Sequence, residues 1–167
     1  IIGSDIGGTG SATAFSAVGF FVNEGRKLSA VVLDDLYDEE NKSTEAVLAN
    51  FKSFVQRVKR DYNCVEARSD SAEQLIKRSM QNIPGIGLTV KQSIKLPIVD
   101  RIRLADWLMS CGRFFVMRHC KRTIDAINGA VWKEGAAKET RLDDGTSNID
   151  SLDAMEYGIE PRMRDFR

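Results

Sequence analysis

Ile1-Ile2-Gly3-Ser4-Asp5-Ile6-Gly7-Gly8-Thr9-Gly10 opens the chain with an apolar run that carries one carboxylate and stops in a glycine-rich turn. Apolar and β-branched residues resume over 13–22, break at Asn23-Glu24-Gly25, and continue over 28–36. Runs of this length bounded by turn residues read as strands, and short turns join consecutive strands antiparallel. Three antiparallel strands therefore begin the fold.

Beyond them, helix and strand alternate. Ser43 can cap a helix whose apolar positions Val47, Leu48, Phe51, Phe54, Val55 and Val58 recur at helical spacing. Arg57, Lys59 and Arg60 lie at its end, where basic side chains suit the macrodipole. A short strand is predicted over 64–69, and Asp70 then sits at a strand-to-helix corner with Ser71 and Gln74 in capping-box spacing. After the Pro84-Gly85 break the pattern predicts a strand at 87–92, a helix from Pro97 through 109 and a strand at 113–117. A helix over 121–132, a polar loop over 135–147 and a last helix over 149–158 ahead of a basic tail complete the reading. The class is α/β: a mixed sheet, antiparallel in its first three strands and parallel afterwards, with helices for both faces.

A length of 167 residues with 43% hydrophobic composition suits a single domain over 1–167, and a start inside a strand without Met marks an expected fragment of a longer chain. With 24 basic and 24 acidic residues, bulk charge neither announces nor excludes a polyanionic partner. Cys64, Cys111 and Cys120 are odd in number and form no CxxC, against a disulfide framework or a structural zinc site and in favour of a reducing compartment. No apolar run approaches the roughly 20 residues that span a bilayer, and no signal peptide opens the chain. The expectation is a soluble, intracellular protein that is not secreted and meets no membrane.

Chemistry concentrates in aspartates. Asp5 lies in an apolar strand, where a carboxylate must find a partner or protonate. A strand-end Asp bonded to the Gly7–Gly10 turn accounts for it as well as a ligand does. Asp70, taken alone, reads more readily as the N-cap of the helix that follows than as a ligand. Asp150 and Asp153 are three apart, hence on one helix face, where two like charges repel unless a cation lies between them or water solvates both. Carboxylates from a strand, a second strand end and a helix start can meet at one edge of a mixed sheet. Magnesium and manganese take such hard oxygen ligands, and two ions about 4 Å apart can activate water and stabilise the leaving oxygen of a phosphodiester. His119 is the only histidine and joins no acidic motif, so no Ser/His/Asp or Cys/His set competes.

In order and spacing the chain resembles the C-terminal nuclease domain of the large terminase subunit of tailed phages and herpesviruses, over nearly its whole length. The matching segments are Gly3-Ser4-Asp5-Ile6-Gly7-Gly8-Thr9-Gly10, Asp70-Ser71-Ala72-Glu73, Lys91-Gln92-Ser93-Ile94 and Asp153-Ala154-Met155-Glu156-Tyr157. The resemblance implies a ribonuclease H-like fold in which Asp5, Asp70 and Asp153 are catalytic and bind two divalent ions, Mg2+ or Mn2+, to cut double-stranded DNA. Many relatives carry a His where this chain has Asp150 and an Arg where it has Glu156. Asp150 is then a candidate fourth ligand, and a histidine base does not carry over. The implied partners are the ATPase domain of the same full-length chain, the small terminase subunit and the portal protein. The implied location is the host cytoplasm, or the nucleus for a herpesvirus-type host. The phosphate loop of that ATPase, G-x-x-x-x-G-K-[ST], does not occur here.

Lys91, Lys95, Arg101, Arg103, Arg113, Arg118, Lys121 and Arg122 face only Asp100 and Asp106 in their segment, an excess that can track phosphates or merely solvate exposed faces. Lys91 and Lys95 are the candidate DNA contacts, and the resemblance puts the Lys91 loop beside the acidic cluster. Trp107, Met109, Phe114, Phe115 and Trp132 are expected in the core and His119 at a strand end. Asp34, Asp35, Asp38, Glu39 and Glu40 are expected in a solvated loop. Asp5-Ile6-Gly7-Gly8-Thr9 also resembles the phosphate turn of sugar kinases, which need about twice this length and a second such turn. A resolvase or integrase-like nuclease of the same fold, and a scaffold module with a vestigial cluster, are the remaining alternatives.

Overall fold

The strands stack in the order β5-β4-β1-β2-β3-β6: β1 is Ile2–Asp5, β2 Thr13–Val22, β3 Leu28–Asp38, β4 Glu66–Ser69, β5 Thr89–Gln92 and β6 Phe114–Val116. The computed structural model describes residues 1–7, 12–40, 43–70, 74–135, 141–142 and 148–166. β1, β2 and β3 pair antiparallel, while β4, β5 and β6 join in parallel, as the hydrophobic pattern predicts. The helices are α1 Thr44–Asp61, α2 Gln74–Gln81, α3 Ile98–Ser110, α4 Lys121–Gly129 and α5 Ile149–Ile159. Ser71 of the anticipated capping box and Gly8, Thr9 and Gly10 of the first turn lie outside the described residues.

Two cores flank the sheet. On one face, α1 lays Val47, Phe51, Phe54, Val55 and Val58 against Ile2, Phe15 and Ala67, with the Phe15 ring 5.5 Å from Phe51 and 5.8 Å from Phe54. On the other, α3, α4 and α5 contribute Leu108, Ala126, Leu152, Met155 and Ile159 over Val18, Ala30 and Val32. β3 carries a bulge, because Ala17 pairs with Asp34 while Val18 pairs with Val32. The extra residue, Leu33, lets Leu33 and Leu36 both face the α1 side although they are three apart.

The cap at Ser43 is where the sequence placed it: its hydroxyl accepts from the Ala46 N–H at 3.2 Å. Ser43→Ala is expected to cost about 1 kcal/mol, read as a fall in Tm of roughly 2–4 °C.

Several expectations are corrected. Only Glu39 and Glu40 of the acidic run lie in an exposed bend, as expected. Asp34, Asp35 and Asp38 belong to β3 and tie it to the helices on both faces: Arg57 of α1 donates to Asp34 at 2.6 Å, Asn50 of α1 to Asp38 at 2.6 Å, and the Thr123 N–H of α4 to Asp35 at 2.8 Å. Trp107, Phe115 and Trp132 are 42%, 45% and 49% exposed and so are not core, whereas Met109 and Phe114 pack against the second core. β6 is a three-residue edge strand, and its outward Phe115 meets the Phe21 ring at 5.6 Å. α4 stops at Gly129, a poor helix residue. The basic tail instead forms a 3₁₀ segment, Glu160–Phe166, which buries Phe166 and gives its carbonyl to Arg113 at 3.1 Å.

Candidate metal centre

Parallel pairing of β1 with β4 sets the first two carboxylates side by side. Ser4 lies opposite Ser69, and the Asp70 N–H donates to the Ser4 carbonyl at 3.4 Å. Asp5 and Asp70 thus emerge from the carboxyl ends of neighbouring strands, the edge at which α/β sheets place their ligands. Asp5 does not hold the Gly7 amide, which donates to the Thr13 hydroxyl at 3.2 Å.

α5 brings the other two. It rides directly on β1, because Gly3 presents no side chain. A Cβ built there would overlap the Ala154 carbonyl oxygen and stand 2.6 Å from the Gly158 nitrogen. Asn148 caps the helix, accepting from the Ser151 N–H at 3.1 Å. Asp150 and Asp153 follow within its first two turns. Their fields converge on Asp5. Burial raises its carboxyl, and Asp153, Asp150 and Asp70 add to the rise in that order against Arg101, bringing it from 3.8 to about 8.

Among the described residues, protein cations engage Asp153 and Asp70. Arg101 donates to Asp153 Oδ1 at 2.9 Å and Arg141 to the same oxygen at 3.3 Å. Both guanidinium groups also meet buried Glu156: Arg101 stands 3.0 Å from Oε2 and Arg141 pairs with Oε1. Arg101 lies 4.9 Å over the Tyr157 ring, and the Tyr157 hydroxyl donates to Asp70 Oδ2 at 3.4 Å. Burial first, then Asp153, raises the Tyr157 hydroxyl well above the ordinary phenol value, so it remains a donor. The Lys95 ammonium pairs with Asp70 Oδ1. Among the described residues, no three acidic, His or Cys side chains stand in metal-ligating geometry; the oxygens of Asp70 and Asp153 are turned toward these cations. In chemistry the donor set nevertheless fits Mg2+ or Mn2+, since all four groups are hard carboxylate oxygens.

Of the two candidate DNA contacts, Lys95 lies at this cluster. Lys91 lies within β5 rather than in a loop, with its ammonium 2.5 Å from Glu66 at the opposite end of β4. Sequence reasoning missed the roles of Arg101, Arg141 and Glu156. A signal existed for Arg101, which stands on the apolar stripe of α3 with Ile102, Ala105 and Leu108, all buried. A charge on that stripe needs a buried partner. Arg141 carried no signal, sitting in a polar stretch. Arg113, grouped with the phosphate-tracking residues, is buried and donates to the Leu28 carbonyl at 2.8 Å. His119 is exposed, with its ring nitrogen 2.9 Å from the Leu33 carbonyl.

A family model described as the terminase RNaseH-like domain matches residues 2–161. Three solved structures share the architecture. The large terminase of a thermophilic bacteriophage aligns with 96% of this chain and 38% of its own length, at a TM-score of 0.73 and 17% identity. The large terminase nuclease domain of bacteriophage SPP1, solved with bound Mn, aligns with 96% of this chain and 84% of its own length at 0.66 and 18%. That of thermophilic phage G20c, with bound magnesium, covers 95% of this chain and 79% of its own at 0.65 and 17%. Identities this low establish the fold, a ribonuclease H-like mixed sheet. The chain thus spans well under half of the first of these proteins. The curated proteins contain no match, and no helix among the described residues is long and apolar enough to cross a membrane.

Proposed function

The chain belongs to the terminase RNaseH-like domain family, and from that premise we propose that it is the metal-dependent endonuclease domain of a viral large terminase. Its substrate is double-stranded DNA, cut from concatemeric genomes to leave 5'-phosphate and 3'-hydroxyl ends. The observation that carries the reading is a buried Asp5 at the carboxyl end of β1, beside the neighbouring strand end that leads into Asp70, with Asp153 and Asp150 of α5 near enough to raise its carboxyl. Asp5, Asp70 and Asp153 are the proposed holders of two divalent ions, with Asp150 as a further ligand. The ions, when bound, would polarise the attacking water and neutralise the leaving oxygen. Arg101 and Arg141 hold Asp153 in orientation, Tyr157 holds Asp70, and Lys95 offers a cation at the rim. Placement by the protein is most of what such chemistry requires.

As part of a longer large subunit, the domain works beside an ATPase domain, with the small subunit and the portal as partners, in the host cell. The family match favours this reading over the sugar-kinase and resolvase alternatives. Supercoiled plasmid is expected to be nicked and linearised by the chain with Mn2+ or Mg2+ and to stay intact in EDTA. Asp70→Asn and Asp153→Asn should each slow cutting by about a hundredfold or more. Parental cutting by either variant, or cutting that persists in EDTA, refutes the assignment. No Mn2+ binding and no cleavage would favour a scaffold role.

A further inference from the structure

Lys95 stands in the left-handed backbone region, with φ 56°, a conformation that is strained for a residue with a Cβ and easy for glycine. One buried carboxylate binds the backbone on both sides of it. Glu160, 2% exposed at the end of α5, accepts three successive backbone N–H groups, from Ile94 at 2.5 Å, Lys95 at 3.2 Å and Leu96 at 3.3 Å. The clamp curls the chain so that the Lys95 ammonium reaches Asp70 Oδ1, while Tyr157 takes Oδ2. Strain maintained by a buried group, at a residue whose side chain ends on a site carboxylate, points to a use for that side chain.

We propose that Glu160 is a positioning residue that fixes Lys95 over Asp70, and that the Lys95 ammonium is a displaceable counter-cation. It occupies the Asp70 oxygen in the metal-free protein and moves to the DNA phosphate once a divalent ion takes that oxygen. The inference rests on the reading of Asp70 as a metal ligand. Lys95 is 42% exposed on its side chain, so it can leave Asp70 without breaking the core. Glu160 sits seven residues after Asp153 on the same helical rod. The end of α5, where Glu160 is the C-cap, therefore sets the counter-cation of Asp70 on the same stretch of chain that carries Asp153.

Calorimetric titration of the chain with Mn2+, without DNA, tests this. Lys95→Gly keeps the backbone geometry and removes the competitor, so Mn2+ should bind about threefold tighter or more. Lys95→Arg restores the cation and should bind as the parent does. Glu160→Gln should tighten binding like Lys95→Gly, and the double variant should bind no tighter than Lys95→Gly alone, which a merely structural Glu160 would not produce. Should Glu160→Gln fail to fold, the Lys95→Gly and Lys95→Arg pair decides. If Lys95→Gly binds Mn2+ as the parent does while Asp70→Asn loses about tenfold or more, the counter-cation is refuted and the metal site stands. If Asp70→Asn and Asp5→Asn both bind as the parent does, the metal site itself is refuted and the inference falls with it.

Discussion

Gly3→Ala is expected to lower Tm by about 6–12 °C and to abolish cleavage, although it adds one methyl group to a residue that bears no functional group. The new Cβ would overlap the Ala154 carbonyl oxygen and press within 2.6 Å of the Gly158 nitrogen, both backbone atoms of α5. Backbone cannot rotate aside as a side chain can, so the helix must lift off β1. That withdraws Leu152, Met155 and Ile159 from the second core and carries Asp153 away from Asp5. Overpacking of a tight core costs about 1–3 kcal/mol, and a clash with main chain belongs at the upper end. For a chain of this size that corresponds to the stated fall in Tm. Gly158→Ala is a built-in control: its Cβ would meet Val18 Cγ2 at 2.7 Å, a side chain that Val18→Ala removes. The pair should recover most of the loss, whereas no side-chain trimming should rescue Gly3→Ala. Parental melting of Gly3→Ala would show that α5 does not rest on β1 as described.

Asp5→Asn is expected to do two opposite things, eliminating cleavage and stabilising the metal-free protein. The folded state holds the Asp5 proton up to about 8, and the ordinary value is 3.8. Between those limits the folded state binds a proton that the unfolded chain has released. Metal-free stability must therefore fall as pH rises from about 4 to 8 and level off above. The slope is at most about 1.4 kcal/mol per pH unit, less where water reaches the carboxylates. Asn cannot ionise and escapes the loss, so melting in EDTA should show the Asn variant gaining on the parent as pH increases. Saturating Mn2+ should reverse the order, because the ion stabilises only the parent site and displaces the Asp5 proton on binding. Proton release at pH 7 is measurable by calorimetry in buffers of different ionisation enthalpy. Parallel melting curves of parent and variant from pH 5 to 8 would contradict the burial of Asp5 and the nearness of the other three carboxylates.

How far the site was legible in the chain differs residue by residue. Asp5 and Asp70 were conspicuous, one as a charge inside an apolar strand and the other at a strand-to-helix corner, and both positions are local properties. Asp153 and Asp150 were visible as a helical pair. The groups that orient them were not. Arg101 meets Asp153 across 52 positions of chain, and Glu160 reaches Ile94 across 66. Nothing local to either partner names the other. Of the two lysines, the resemblance put Lys91 beside the acidic cluster, whereas the structure puts Lys95 there. They part company because β5 aims Lys91 along the sheet edge to Glu66, while the Glu160 clamp turns Lys95 onto Asp70.

By itself the sequence determined the kinds of element, the antiparallel start and parallel continuation of the sheet, the Ser43 cap and the four aspartates. Side-chain periodicity and turn chemistry act over a few residues and are written where they act. Only the tertiary structure decided that β6 joins β3 at the far edge, that the acidic run of β3 binds helices on both faces, and which cation sits on which carboxylate. Those outcomes depend on distances between segments far apart in the chain, and ion pairing between buried groups is settled by whichever partner packing brings within reach.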